Sequence, residues 1–376
     1  MKFKRSTIII LSVICISNVT YLAGCNKETK PIKIGVLGTM SGINSDLSVS
    51  GRRGVELAID EFNKSSGLGE SKFELVVKDD KNDPLIALKA EKEFISENIS
   101  VVIGPYTSGM IVNSMSYLKD KNILILAPTV SADSLSGVDD NFIRFISNTS
   151  LQATVIADMA KKNNDKTFAV LYDLENKGFS DALYNNFKKL LELNNGKIIL
   201  TKTFSSSSNV NYSSLAKDVL DSNADSLFII SNSKDNAEIS QNIRKLGSKV
   251  HIYAPLWSNT TDLIRTGGKA VEGMFIVGAI DLEDKSTKFV KFKDDYIDKY
   301  GENPTFSSMY SYETTYALLM AIKISPNLLP LTIKDNIIKI KNFEGLQGSY
   351  SINKFGDSTR KYLIFKIENG LLKKGD

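Results

Sequence analysis

From residue 32 onward, short runs of β-branched and aromatic residues alternate with longer stretches whose apolar residues recur every three or four positions. Residues 32–37 (IKIGVL) predict a strand, after which Val55, Ala58, Ile59 and Phe62 share one face of a helix. Residues 73–77 predict the next strand. Asp83-Pro84 then opens a helix, the aspartate as N-cap and the proline where a missing N–H costs nothing, with apolar positions at Leu85, Leu88 and Phe94. The runs 101–103 and 123–126 are apolar on both faces, as strands inside a parallel sheet must be.

The same rhythm resumes in a second block. Strands are predicted at 168–172, 198–203, 226–230, 252–254 and 274–277, separated by helical stretches such as 182–193 and 237–246. Helices follow at 287–300 and 308–324. The chain ends in two strand-like runs, 349–352 and 362–367, divided by the turn-former Asn353-Lys354-Phe355-Gly356-Asp357. Strand–helix alternation of this kind predicts an α/β fold with parallel sheets, here two of similar size.

Before residue 32 the pattern differs. Lys2, Lys4 and Arg5 precede an apolar run over 8–19, too short for the roughly 20 residues that a membrane-spanning helix needs, which predicts a cleaved export leader over 1–24. Its end, Leu22-Ala23-Gly24-Cys25, resembles the bacterial lipobox, which implies that Cys25 carries a lipid and that residues 25–31 tether it to the folded domain. Cys15 is the only other cysteine and lies inside the leader, so no disulfide is available and the core alone must supply stability. Loss of the three leader charges takes the formal net charge from +4 to +1, which removes the electrostatic case for nucleic acid.

Little in the sequence points to catalysis, a metal or a cofactor, and none is expected. His251 is the single histidine, at the start of a predicted strand. Gly67-Leu68-Gly69 lacks the third glycine of a dinucleotide loop, and Gly267-Gly268-Lys269-Ala270 lacks the upstream glycine and the following hydroxyl of a phosphate loop. Asp79, Asp80 and Asp83 read more simply as caps and turns than as an acid–base or metal cluster. What remains is a pair of polar loops just beyond strand ends. These are Gly104-Pro105-Tyr106-Thr107-Ser108-Gly109 and Ala127-Pro128-Thr129-Val130-Ser131. Ligands of open parallel sheets lie outside the carboxyl ends of strands, and hydroxyls there suit a carboxylate.

These residues resemble the branched-chain amino-acid-type solute-binding proteins of ABC transporters, which have the type I periplasmic-binding fold. The stretches that carry the likeness are 32–42 (IKIGVLGTMSG), 54–63 (GVELAIDEFN), 75–80 (LVVKDD), 102–105 (VIGP), 268–274 (GKAVEGM) and 343–348 (FEGLQG). The resemblance implies two doubly wound lobes, 32–147 with 281–340 and 148–280 with 341–376, joined by three crossovers near 146–149, 278–281 and 339–343. A solute, an amino acid or a similar amide or small carboxylate, would be held in the cleft. An extracytoplasmic, lipid-anchored monomer would then present it to ABC permease and ATPase subunits, or, in the alternative, to a separate signalling receptor.

By position, the resemblance places a carboxylate-binding serine at Ser108, beside Tyr106 and Thr107, and a second hydroxyl loop at Thr129 and Ser131. It places an acid near a solute ammonium at Asp173 and an aromatic over the ligand at Phe179. At Leu256-Trp257 the chain departs from the family pattern, which usually has a glutamate nearby for the ammonium. That leaves Asp173 as the expected counter-charge and Trp257 as an apolar or stacking wall.

Overall fold

The computed structural model describes residues 30–42, 45–65 and 72–375. The leader, Cys25, the tether up to Thr29 and the Gly67-Leu68-Gly69 turn lie outside the described residues. The first sheet is built from β1 (Ile32–Gly38), β2 (Phe73–Asp79), β3 (Val101–Ile103), β4 (Leu124–Ala127) and β5 (Phe142–Arg144). All are parallel, in the order β2-β1-β3-β4-β5. Helices α1 (Ser45–Lys64) and α2 (Pro84–Ser96) and the short turns α3 (Ser108–Ile111) and α4 (Met115–Leu118) link them. The predicted cap is present: the Asp83 side chain accepts the Leu85 N–H at 2.8 Å. Leu85 itself faces solvent, and α2 buries Ala87, Ala90, Glu91 and Phe94 instead.

The second block repeats the plan. Helix α5 (Thr149–Lys162) leads into β6 (Thr167–Asp173), α6 (Lys177–Leu193), β7 (Lys197–Phe204), α7 (Tyr212–Asp221), β8 (Ser226–Ile230), α8 (Ser233–Lys245), β9 (His251–Ala254), α9 (Thr261–Gly267) and β10 (Phe275–Gly278). The parallel order β7-β6-β8-β9-β10 matches that of the first sheet, with β6 in the place of β1. This sheet is not wholly parallel, however. Two C-terminal strands, β14 (Leu363–Glu368) and β15 (Leu371–Lys374), extend it antiparallel beyond β10.

Between β10 and β14 the chain returns to the first lobe as α10 (Thr287–Tyr300), α11 (Phe306–Lys323) and α12 (Pro330–Ile340). Helix α11 is buried almost all round, fifteen of its eighteen residues, so it reads as a core helix rather than an amphipathic one. Helix α1 approaches it through glycines. A β-carbon on Gly54 would stand 2.1 Å from the Ser308 carbonyl oxygen, and one on Gly51 would meet the Tyr106 ring.

The third crossing is longer than the expected 339–343. Residues of β11 (Asn342–Gly345), β12 (Gly348–Ile352) and β13 (Ser358–Thr359) form a separate antiparallel sheet, and the chain joins the second sheet only at Leu363. Polar straps hold this crossing. The Arg360 guanidinium lies between the Tyr350 and Tyr310 rings, 3.6 and 4.3 Å from their centroids, and pairs with Glu313 at 2.6 Å. Ser147 of the first crossing exchanges hydrogen bonds with the Arg360 backbone at 2.7 Å.

Candidate functional site

In each lobe the carboxyl ends of the central strands point toward the other lobe, so the loops after them meet in one crevice. From the first lobe come Leu47 of α1, Tyr106, Thr107 and Ser108 after β3, Thr129 and Ser131 after β4, and Phe306 at the start of α11. Gln152 of α5, Asn176 and Phe179 at the start of α6, and Leu256 and Trp257 after β9 face them from the second lobe. Ile146 closes the hinge side. About 300 Å³ of atom-free space, part of it open to solvent, lies within this lining. The lobes are closed on each other.

Three hydroxyls of this lining differ in their partners. Ser108 Oγ accepts the Ala132 N–H at 3.2 Å, which leaves its own proton to donate. Thr129 Oγ1 is committed to the Tyr106 carbonyl at 2.5 Å. Ser131, 2% exposed, anchors the start of α5 through its carbonyl, which accepts the Thr149 N–H at 3.0 Å, while its hydroxyl has no hydrogen-bond partner among the described residues. The two amides are oriented by backbone donors. Asn176 Oδ1 accepts the Gly109 N–H at 2.9 Å across the cleft, and Gln152 Oε1 accepts the Leu256 N–H at 3.2 Å. A backbone N–H can only donate, so each amide oxygen is the acceptor there; the Asn176 NH2 has no partner among the described residues, and the Gln152 NH2 donates one hydrogen to the Tyr362 hydroxyl at 3.5 Å and keeps the other. Phe179 and Trp257 meet edge to face, centroids 5.9 Å apart, and form the apolar wall.

Seven of the expected residues therefore converge: Tyr106, Thr107, Ser108, Thr129, Ser131, Phe179 and Trp257. Asp173 does not line the cavity. Fully buried at the end of β6, it accepts the Ser206 hydroxyl at 2.5 Å and the Glu175 and Ser206 N–H groups at 3.1 Å. Burial pushes its carboxyl up to about 6. The same Ser206 hydroxyl contacts Asp235, so Asp173 is occupied in joining the 205–208 loop to α8. Among the described residues no charged side chain lines the cavity. Asp79 and Asp80 serve the turn they belong to: Asp79 accepts the Met40 and Lys81 N–H groups and the Ser41 hydroxyl, and Asp80 accepts the Asn82 N–H at 2.9 Å and the Thr39 hydroxyl at 2.7 Å.

Leu47, Gln152, Asn176 and Phe306 had no signal in the sequence, because their place depends on how two lobes meet, while Ile146 and Leu256 stood out only as a crossover position and as a departure from the family pattern. Asp46 had no signal either. From the first turn of α1 it reaches the second lobe, accepting the Ser233 hydroxyl at 2.8 Å and the Thr260 hydroxyl at 2.7 Å. Burial raises its pKa, against the pull of those two hydrogen bonds.

Two lobes of matched topology that close over a polar crevice are the architecture of hinged binding proteins. The profile of the periplasmic binding protein family matches residues 31–375, and the chain belongs to that family. A curated relative, Leu/Ile/Val-binding protein homolog 3 of Brucella melitensis, is 30% identical over 155 residues, which span 40% of this chain and 42% of that one. The chain thus matches under half the length of that relative. Among solved structures, the leucine-binding protein LivK of Thermotoga maritima superposes with a TM-score of 0.85 at 24% identity, over 92% of this chain and 98% of that one. A solute-binding protein of an ABC transporter from R. palustris, solved in complex with benzoate, superposes at 0.81 with 17% identity, over 92% and 95%. At these identities the likenesses establish the fold.

Proposed function

We propose that this protein is an extracytoplasmic receptor that closes its two lobes on a small carboxylate-bearing solute, delivers it to an ABC importer and is held at the membrane by a lipid on Cys25. The observation that carries this reading is the crevice itself, lined from both lobes by directed hydroxyl and amide donors on one side and by Phe179 and Trp257 on the other. The names of the relatives favour an amino acid as solute, with Ser108 and Ser131 donating to its carboxylate. A thermal-shift screen of the purified chain against amino acids tests it. A solute bound only by the folded state, at 100 times its dissociation constant, adds about 2.7 kcal/mol of stability. Silence from every amino acid and every carboxylate sinks the reading.

One observation favours a second solute class. Among the described residues the lining offers hydroxyl and amide donors and no carboxylate, and each amide oxygen already accepts a backbone N–H. A carboxylate finds partners there, whereas an ammonium would be desolvated without a counter-charge, at a cost of several kcal/mol. Comparing leucine with 4-methylpentanoate, which keeps the side chain and carboxylate but lacks the ammonium, separates the two. Tighter binding of leucine selects the amino acid; tighter binding of the deaminated acid selects the carboxylate.

A further inference from the structure

The end of the first lobe remote from the crevice carries exposed apolar side chains that the solute site does not use. Strand β1 enters the sheet at Ile32 and ends at the crevice, and α11 runs the opposite way, from Phe306 in the cavity lining to Lys323. Eighteen residues of helix span about 27 Å, so the α11–α12 connection lies at the pole farthest from the cleft. There Ile324, Leu328, Leu329 and Leu331 are 57, 43, 55 and 60% exposed. Such a cluster is unusual on a face with no partner.

The first described residues of the chain lie at the same pole. Lys30, Pro31 and Ile32 line one recess together with Leu328 and Leu329, and the Ser100 hydroxyl of this edge contacts the Leu328 carbonyl at 3.5 Å. The five steps from Cys25 to Lys30 reach at most about 18 Å even when fully extended. A lipid on Cys25 therefore holds this pole, and no other part of the first lobe, against the bilayer. Exposed Lys30, Lys33 and Lys323 flank the apolar side chains, the arrangement that suits anionic headgroups around an interfacial apolar patch. Of the two acids lining the recess, Glu74 and Glu97, the latter is paired with Lys78 at 2.8 Å.

We propose that this pole is a lipid-docking surface, with Ile324, Leu328, Leu329 and Leu331 inserted at the headgroup boundary of the bilayer that holds the anchor, so that the cleft stands off the membrane. The proposal rests on the lipid-anchor reading above, and its test separates the two. Because Cys15 and Cys25 are the only native cysteines, a lipidated chain carrying Asn122→Cys, in the same recess, takes an environment-sensitive fluorophore at one site. A second chain carrying Lys197→Cys places it at the start of β7 in the other lobe.

In vesicles of phosphatidylglycerol and phosphatidylethanolamine, the label at 122 is expected to shift to the blue and to be quenched by headgroup-level nitroxide lipids, while the label at 197 reports water. Replacing Leu328, Leu329 and Leu331 with serine removes the shift without releasing the protein from vesicles. A label at 122 that stays aqueous on protein floating with vesicles overturns the docking surface and leaves the anchor standing. A shift without nitroxide quenching also overturns it, since a second copy of the chain then covers the face. Protein that does not float with vesicles overturns the anchor, and the docking surface with it.

Discussion

Ser131 and Asp173 were expected to share one ligand, yet their surroundings give them different work. Ser131 is 2% exposed and its hydroxyl makes no hydrogen bond among the described residues, in a cavity where a solute oxygen would satisfy it. Ser108 adds a second donor but also receives the Ala132 N–H. The double substitution Ser108→Ala with Ser131→Ala is expected to weaken solute binding by more than about 1.5 kcal/mol, roughly the worth of one hydrogen bond to a charged group. Calorimetric titration reads this directly, and unchanged affinity removes both residues from the site.

Asp173 acts on stability instead. Its carboxyl is raised from 3.8 to about 6, chiefly by burial, so the folded chain holds that proton more tightly than the unfolded one. Stability is therefore expected to fall as pH rises from about 4 to about 6 and to stay level above, by at most about 3 kcal/mol from this group. Asparagine keeps the acceptor for the Glu175 and Ser206 N–H groups and removes the charge. Asp173→Asn should match the parent below pH 4 and melt higher at pH 8; equal melting points at pH 8 rule this account out. The sequence places Asp173 correctly at a strand end, but not the partner toward which it turns, because Ser206 arrives from 33 residues away.

At the scale of elements, legibility follows length and burial. Strands β1, β6 and β8 are apolar runs of five to seven residues and stand out in the pattern. Strand β5 carries an arginine among its three residues, β13 has only two residues and so no period to mark it, and β15 is half lysine. The long third crossing escaped notice because its strands pair with one another and not with either main sheet. The loops after β3 and β4 were legible as a site from topology alone, whereas Gln152 and Asn176 become recognisable only when α5 and α6 face the first lobe.

The contact of α1 with α11 was likewise silent in the pattern, although Gly51 and Gly54 carry it. Gly54→Ala sets a methyl group 2.1 Å from the Ser308 carbonyl oxygen, a backbone atom that cannot turn aside. One helix must move. The expected cost is about 1–3 kcal/mol by denaturant unfolding, the usual price of overpacking. Because α1 carries both Asp46 and Leu47, solute affinity should fall as well. Full stability in Gly54→Ala would show that the two helices part without loss.

Closure of the whole molecule depends on contacts that no solute makes. A solute shifts the lobes only by its preference for the closed form, and any bond formed on closure adds to that preference. Asp46 makes two such bonds, to Ser233 and Thr260 of the second lobe, beside the cavity rather than in it. Asp46→Ala is expected to weaken every solute by the same factor, about tenfold, without changing the order of preference among solutes, since roughly 1.4 kcal/mol of closure energy is lost whichever solute is bound. The carboxyl also makes closure sensitive to pH. Burial raises the Asp46 pKa in the closed form, and opening returns the group to water, so the closed form binds a proton more tightly than the open one. Affinity is then expected to be highest in acid and to decline as pH rises past the ordinary carboxylate range. In Asp46→Asn, which keeps an acceptor for both hydroxyls but has no proton to lose, that decline should vanish. A pH slope that survives in Asp46→Asn assigns it to another group and removes Asp46 as the closure latch.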